Sequence, residues 1–191
     1  TLFPYKDRES TRLSGIQTCA LPIFVWLMNH LTKIARAATP GTGVQCRPHA
    51  YGKDGTGDFL RDVMAMANAS VEGPRYIVVG AGFDSNGRRA LRNVDREDFA
   101  GKPSYQALAN EYIEPPIRLR YQPVQVDGKR LGVFEIGDCQ DRPYMMRADF
   151  SEQLRRGDAY ARVKTSVIKL GRRQLQSLFE KKFRDSVSSS D

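Results

Sequence analysis

Residues 117–136 have the sequence IRLRYQPVQVDGKRLGVFEI, and this stretch decides the fold class. Apolar and polar residues alternate along it, as they do in a strand with one buried face. The dipeptide Asp127-Gly128 divides the stretch and is typical of a two-residue hairpin turn. After Pro123 the alternation shifts by one residue, which predicts a β-bulge at a sheet edge. The stretch therefore predicts two antiparallel strands.

Upstream of this hairpin, residues 75–80 form a continuous apolar run, RYIVVG, which predicts a central strand covered on both faces. Further strands are predicted at 44–50, 144–147 and 160–168, and a glycine-bearing loop at 80–89. Apolar residues recur at helical spacing in 25–38, 57–69 and 172–183, and Ser104 is expected to cap a helix that ends at 113. In the last helix we expect the apolar residues to point inward; these are Leu175, Leu178, Phe179 and Phe183.

Helices mixed with hairpins predict an α+β fold, with a mixed, mainly antiparallel sheet packed against three to four helices. Residues 15–23 resemble the conceptual translation of a sequencing adapter, and residues 6–13 resemble the same in another frame. We therefore set residues 1–23 aside as an artefact, with a disordered extension as the alternative. One domain is predicted over 24–185, followed by a polar tail over 186–191.

The composition favours a polyanionic partner. Lys and Arg outnumber Asp and Glu by 30 to 22, giving a net charge of +8. The three cysteines are far apart and form no CxxC pair, which argues against a zinc site and a disulfide scaffold and favours a reducing, cytoplasmic compartment. No apolar run approaches the roughly 20 residues that span a bilayer, so we expect no membrane partner.

Four segments, in this order, resemble the Schlafen-type AlbA domain: VQCRPH (44–49), DFLRDVMAMAN (58–68), YIVVG (76–80) followed by Asp84 and Gly87, and RPY (142–144) together with RRGDAYARV (155–163). The resemblance implies a nucleic-acid-binding domain of a regulatory or defence protein. Family members often carry an ATP-binding label through a downstream ATPase domain, so the resemblance leaves open a further domain beyond this chain. The family pattern has a glycine where this chain has Lys164.

Binding of DNA or RNA requires cationic side chains that meet phosphates on one surface. Tyr160, Arg162 and Lys164 share strand parity and are expected to project from one side, where Tyr160 could stack on a base. The alternative for each basic pair is a solvated sheet face, and for Tyr160 a core position. The predicted nucleic-acid-binding residues are Arg47, Arg118, Arg120, Arg155, Arg156, Tyr160, Arg162 and Lys164.

An enzymatic alternative also comes from the resemblance, because some Schlafen-type domains are metal-dependent ribonucleases that use three carboxylates. Asp84 matches one of these positions, whereas Gln45 stands where a glutamate is expected and the third position falls near Pro40. A lone carboxylate is a poor site for a divalent metal, so we expect no cofactor and no catalytic residue unless Asp84 serves a nuclease. Otherwise Asp84 is a turn residue, and the domain is an inactive relative.

A third hypothesis is a protein-interaction module whose positive charge only keeps it soluble. Self-association into a homo-oligomer is compatible with each of these functions. The glycine-rich stretches match neither a P-loop nor a dinucleotide-binding fingerprint.

Overall fold

The computed structural model describes residues 20–137 and 139–188, so the expectation for residues 1–19 lies outside the described residues. The helices are α1 (Ala20–Ala37), α2 (Thr56–Ala67), α3 (Tyr105–Tyr112) and α4 (Arg172–Ser188), with one 3-10 turn at Arg96–Phe99. The strands are β1 (Val44–Arg47), β2 (Arg75–Val79), β3 (Ala81–Phe83), β4 (Arg89–Leu91), β5 (Ile113–Glu114), β6 (Arg118–Val126), β7 (Lys129–Gly137), β8 (Met145–Met146), β9 (Tyr160–Val163) and β10 (Ser166–Lys169). None of the helices in the described part of the chain is long and apolar enough to cross a membrane.

The central sheet has the strand order β1-β2-β7-β6. Strand β1 runs parallel to β2, and the other two pairings are antiparallel. All five residues of β2 are buried, which confirms the predicted central strand. Three further antiparallel pairs, β3 with β4, β5 with β8 and β9 with β10, complete the fold. Four helices and a mixed, mainly antiparallel sheet confirm the predicted α+β class.

Each face of the central sheet supports its own core, because successive strand residues point to opposite faces. Ile77 and Val79 of β2 pack in the larger core with α2 and α3. Tyr76 and Val78 pack in the second core with α1. The sheet is therefore covered by α2 and α3 on one side and by α1 on the other.

The bulge predicted at Pro123 is wrong. Strands β6 and β7 pair without interruption from Arg118↔Gly137 to Val126↔Lys129. Leu119 and Tyr121 face the core beneath α2, whereas Val124 and Val126 face the core beneath α1. The apolar parity shifts because one regular strand contributes to two cores on opposite faces.

Two predicted elements are also divided. The loop expected at 80–89 contains the hairpin of β3 and β4, and the strand expected at 160–168 is the hairpin of β9 and β10 with a turn at Lys164. Lys164 has a φ of 55°, in the left-handed region that glycine adopts most easily. A glycine, which the resemblance implies at this position, would adopt the same conformation more easily than Lys164 does.

The terminal helices extend beyond their predicted bounds. Helix α1 begins at Ala20, within the segment that the sequence reasoning set aside, and α4 ends at Ser188, within the predicted tail. Leu175 and Leu178 pack on a small cluster of Ala159, Ala161 and Leu170, as expected. The inward orientation predicted for Phe179 and Phe183 is wrong, because both are exposed.

Candidate nucleic-acid interface

A buried carboxylate organises the contact between β1 and α2. Asp62 of α2 accepts hydrogen bonds at Oδ2 from Gln45 Nε2 (2.7 Å), Tyr51 Oη (3.0 Å) and Arg47 Nη1 (3.2 Å). Burial raises the pKa of the Asp62 carboxyl, while the Tyr51 hydroxyl, the Arg47 charge and the Gln45 amide oppose that rise. Gln45 and Arg47 reach this point because strand alternation places both on the α2 side of β1.

The arginines at this junction are committed to internal contacts. Arg47 also pairs with Asp58 at 3.2 Å and lies 4.1 Å from the centroid of the Tyr51 ring. Arg162, which is 5% exposed, donates from Nε to the Gly41 carbonyl (2.6 Å) and from Nη1 to Gln45 Oε1 (3.2 Å). Both were predicted to bind nucleic acid. The structure places Arg47 between β1 and α2, and it places Arg162 where its side chain links β9 to β1 and to the residues before it.

One segment, residues 155–173, has a large excess of basic over acidic residues, and we call it the basic hairpin. It contains β9, β10, the turn before β9 and the first two residues of α4. The segment contains seven Lys and Arg residues and one Asp, so it carries a net charge of +6, compared with +8 for the whole chain. Arg162 is buried, and the other six basic residues are exposed: Arg155, Arg156, Lys164, Lys169, Arg172 and Arg173.

Asp158 is the acidic residue of the basic hairpin, and it holds two strand ends together. Its carboxylate accepts from Lys169 Nζ (2.7 Å) and from the backbone N–H of Arg155 (3.1 Å). Burial alone would raise the pKa of Asp158, but the hydrogen bonds from Lys169 and Arg155 outweigh it and hold the pKa below its ordinary value. The hydrogen bond that Lys169 donates to Asp158 in turn raises the pKa of Lys169.

Arg118 and Arg120 lie elsewhere. Because Leu119 and Tyr121 face the α2 side of the sheet, the two arginines point to the opposite face. There they line an open cavity of about 230 Å³ together with Glu135, which is the cross-strand neighbour of Arg120. The basic hairpin packs against α2, on the other side of the sheet. The eight predicted residues therefore do not share one surface.

The sequence model of the Schlafen AlbA_2 family matches residues 47–171, which is 125 of the 191 residues. The chain belongs to the Schlafen AlbA_2 family. No curated protein matches it. A solution NMR structure of the N-terminal domain of a RecG-related protein from Nitrosomonas europaea, named as a candidate ATP-dependent DNA helicase, is similar over 68% of this chain and 86% of that one. The sequence identity is 19% and the TM-score is 0.42.

The Ala-Asn pair that ends α2 has a clear role in this Schlafen AlbA_2 domain. Asn68, which is 3% exposed, donates from Nδ2 to the carbonyls of Tyr144 (2.7 Å) and Tyr160 (2.8 Å). Its Oδ1 accepts from the backbone N–H of Tyr144 at 2.7 Å. The side chain thus satisfies three buried backbone groups and fixes the start of β9 on α2.

Two further residues of the predicted site, Lys164 and Tyr160, belong to the basic hairpin, and only Lys164 departs from the expected strand parity. Lys164 occupies the turn after β9, and its backbone N–H donates to Thr42 Oγ1 at 3.1 Å. Tyr160 packs against the main core and donates its hydroxyl to the Gln153 carbonyl at 3.3 Å, with the Lys169 ammonium 5.9 Å from its ring centroid. Its ring is therefore already in contact with protein.

Asp84 is a turn residue in this Schlafen AlbA_2 domain. Its Oδ1 accepts from the backbone N–H groups of Asn86 (2.9 Å) and Arg88 (2.8 Å), which closes the hairpin of β3 and β4. Within the described residues, no group of three or more His, Cys, Asp or Glu side chains is placed to hold a metal ion. Gln45 stands where the resemblance implies a glutamate. Its side chain donates to Asp62 and accepts from Arg162.

Sequence reasoning missed Lys169, Arg172 and Arg173. The signal was present in the net charge of residues 155–173, but the three residues belong to a strand and a helix that were considered separately. Summing charge over a window that crosses element boundaries would have found them.

Proposed function

We propose that this Schlafen AlbA_2 domain binds nucleic acid through the phosphates of the sugar-phosphate backbone, and that the basic hairpin is the contact surface. The observation that carries the proposal is the concentration of a net +6 in residues 155–173, with six of the seven cations exposed. Lys and Arg side chains on one surface neutralise phosphates and release their counterions. Family membership is consistent with this function.

The internal contacts of the basic hairpin favour a pre-formed surface. Arg162 and Asn68 attach β9 to β1 and α2, so the exposed cations are carried by an anchored hairpin. Asp158 pairs with Lys169 in the unbound protein. A phosphate that approaches Lys169 would therefore be the second anion beside this ammonium. Asp158 is the one acidic residue in the segment, so the other exposed cations have no further carboxylate within it that competes with a phosphate.

The test is the salt dependence of binding. Fluorescence anisotropy of labelled DNA and RNA, as single strands and duplexes, would be measured against the 191-residue chain over a range of KCl concentrations. If about four of the exposed cations contact duplex phosphates, log Kd should change with log salt with a slope near 4. Binding that is independent of salt, or absent even at low salt, would refute the proposal.

A further inference from the structure

Half of the exposed large hydrophobic side chains in the described part of the chain lie in the basic hairpin or in the helix that follows it. Eight large hydrophobic residues are exposed in the described residues, and four of them lie between positions 163 and 183. These four are Val163, Ile168, Phe179 and Phe183, with Phe179 51% and Phe183 73% exposed. An apolar surface that overlaps a strongly basic one suggests a ligand with both phosphates and flat apolar faces.

The geometry of α4 explains why its phenylalanines reach solvent. Leu175 and Leu178 attach the helix to the small cluster formed by Ala159, Ala161 and Leu170. Each step of four residues turns the side-chain direction by about 40° around the helix axis. Phe179 and Phe183 therefore rotate progressively away from the cluster that Leu175 contacts, and the cluster is too small to follow them.

A cation lies on the same face of α4 as Phe179. Arg172 precedes it by seven residues, or about two turns, so the two side chains project in nearly the same direction about 10 Å apart along the axis. Arg172 directly follows the hairpin that carries Lys169 and Lys164. A strand that contacts these cations would therefore pass the phenyl ring.

We propose that α4 and the basic hairpin together form a site for single-stranded nucleic acid, in which Phe179 stacks on an unpaired base and Arg172 holds a neighbouring phosphate. The inference rests on the proposed nucleic-acid binding and specifies its substrate class. Bases in a duplex are already stacked and paired, so only a single strand offers a free face to the ring. Phe183, one turn further along, extends the same apolar surface.

Two other occupants fit the observations less well. An amphipathic helix that enters a membrane interface needs a broad apolar face, but Leu175 and Leu178 are already packed against the domain. A second copy of the chain related by a two-fold axis would place one basic hairpin against another, and this repulsion opposes a dimer.

The test compares one labelled single strand with the duplex of the same sequence, using the full chain and the variants Phe179→Leu and Phe179→Tyr. Leucine keeps an apolar side chain but removes the aromatic face, so single-strand affinity should fall about tenfold while duplex affinity stays constant. Tyrosine keeps the ring and should preserve single-strand binding. Phe83→Leu is the matched control, because Phe83 is an exposed phenylalanine on β3, and it should change neither affinity.

Each other outcome overturns the inference. If Phe179→Leu leaves single-strand binding unchanged, or weakens single strand and duplex equally, the stacking role is wrong while phosphate binding stands. If the chain binds neither form at low salt, the proposed function itself fails. If Phe179→Leu abolishes binding to phosphatidylserine vesicles but not to the strand, the face is a membrane surface. If it dissociates a dimer detected by light scattering, the occupant is a second copy.

Discussion

Arg162 and Gln45, which are 117 residues apart in the sequence, are joined by a hydrogen bond of 3.2 Å from the guanidinium Nη1 to the side-chain Oε1. The side-chain amide of Gln45 in turn donates a hydrogen bond to the carboxylate of Asp62, which lies on α2. This chain of polar contacts joins the basic hairpin to the edge strand of the sheet. It also explains why one arginine within a basic segment is buried.

Arg162→Met should destabilise the fold without a specific effect on ligand binding. The change leaves the Gly41 carbonyl and Gln45 Oε1 without a donor, and hydrogen bonds to charged groups contribute about 1.5–3 kcal/mol. We expect the free energy of unfolding in urea to fall by about 2 kcal/mol. Arg173→Met is the control; it alters an exposed residue and should change stability by less than about 0.5 kcal/mol while weakening nucleic-acid binding. Equal stability effects would argue against an anchoring role.

The double variant Arg155→Ala/Arg156→Ala should weaken nucleic-acid binding for all sequences alike. Loss of two phosphate contacts should lower the salt slope by about 2 for a duplex. Arg118→Ala/Arg120→Ala removes the same charge from the opposite face of the sheet, and affinity measured by anisotropy should stay within about twofold. If both variants weaken binding equally, net charge rather than the basic hairpin controls affinity.

Asn68→Asp should be strongly destabilising. A carboxylate cannot donate to the carbonyls of Tyr144 and Tyr160, and it would place an unpaired charge in a site that is 3% exposed. We expect a loss of about 3 kcal/mol or more in thermal or urea unfolding. Asn110→Asp is the control, because Asn110 is exposed and its Oδ1 only accepts from Gln106 Nε2, which a carboxylate can still do. A similar loss in both variants would contradict the role assigned to Asn68.

The Asp158–Lys169 pair should contribute stability that disappears in acid. The pKa of Asp158 is lower in the folded protein than its ordinary value of 3.8, so its contribution is complete above pH 3.8 and is lost as the pH falls through the folded-state pKa. Asp158→Asn should reduce the free energy of unfolding at neutral pH by about 0.5 kcal/mol, and the two proteins should converge at low pH. Asp141→Asn, which breaks a more exposed pair with Lys182, serves as the control. A difference that persists unchanged in acid would show that the carboxylate charge is not responsible.

Much of the fold could be predicted because its signals are local. Asp127-Gly128 forms the expected tight turn, with positive φ at both residues, and Ser104 caps α3 by accepting from Ala107 N–H. The β-bulge was wrongly predicted at Pro123 because that position depends on packing that is not local. Alternation within a strand shows which side each residue takes, but it does not show that apolar cores lie on both sides of the sheet.

The candidate site was less predictable, because exposure depends on distant neighbours. Tyr160 and Arg162 follow the expected parity, yet both are in contact with protein, and the partner of Arg162, Gly41, is 121 residues away in the sequence. Phe179 and Leu175 occupy adjacent turns of one helix, but Phe179 is rotated away from the small cluster that Leu175 contacts, so one is exposed and the other is packed.

The sequence alone determined the kinds of secondary structure, the family resemblance and the positive charge of residues 155–173, since these depend on residue identity and spacing along the chain. The tertiary structure decided which cations remain on the surface, and it placed Arg118 and Arg120 on the opposite side of the sheet from the basic hairpin. The physical reason is that a guanidinium can bind either an internal carbonyl or an external phosphate. Which of these it meets is settled by the packing of segments more than one hundred residues apart.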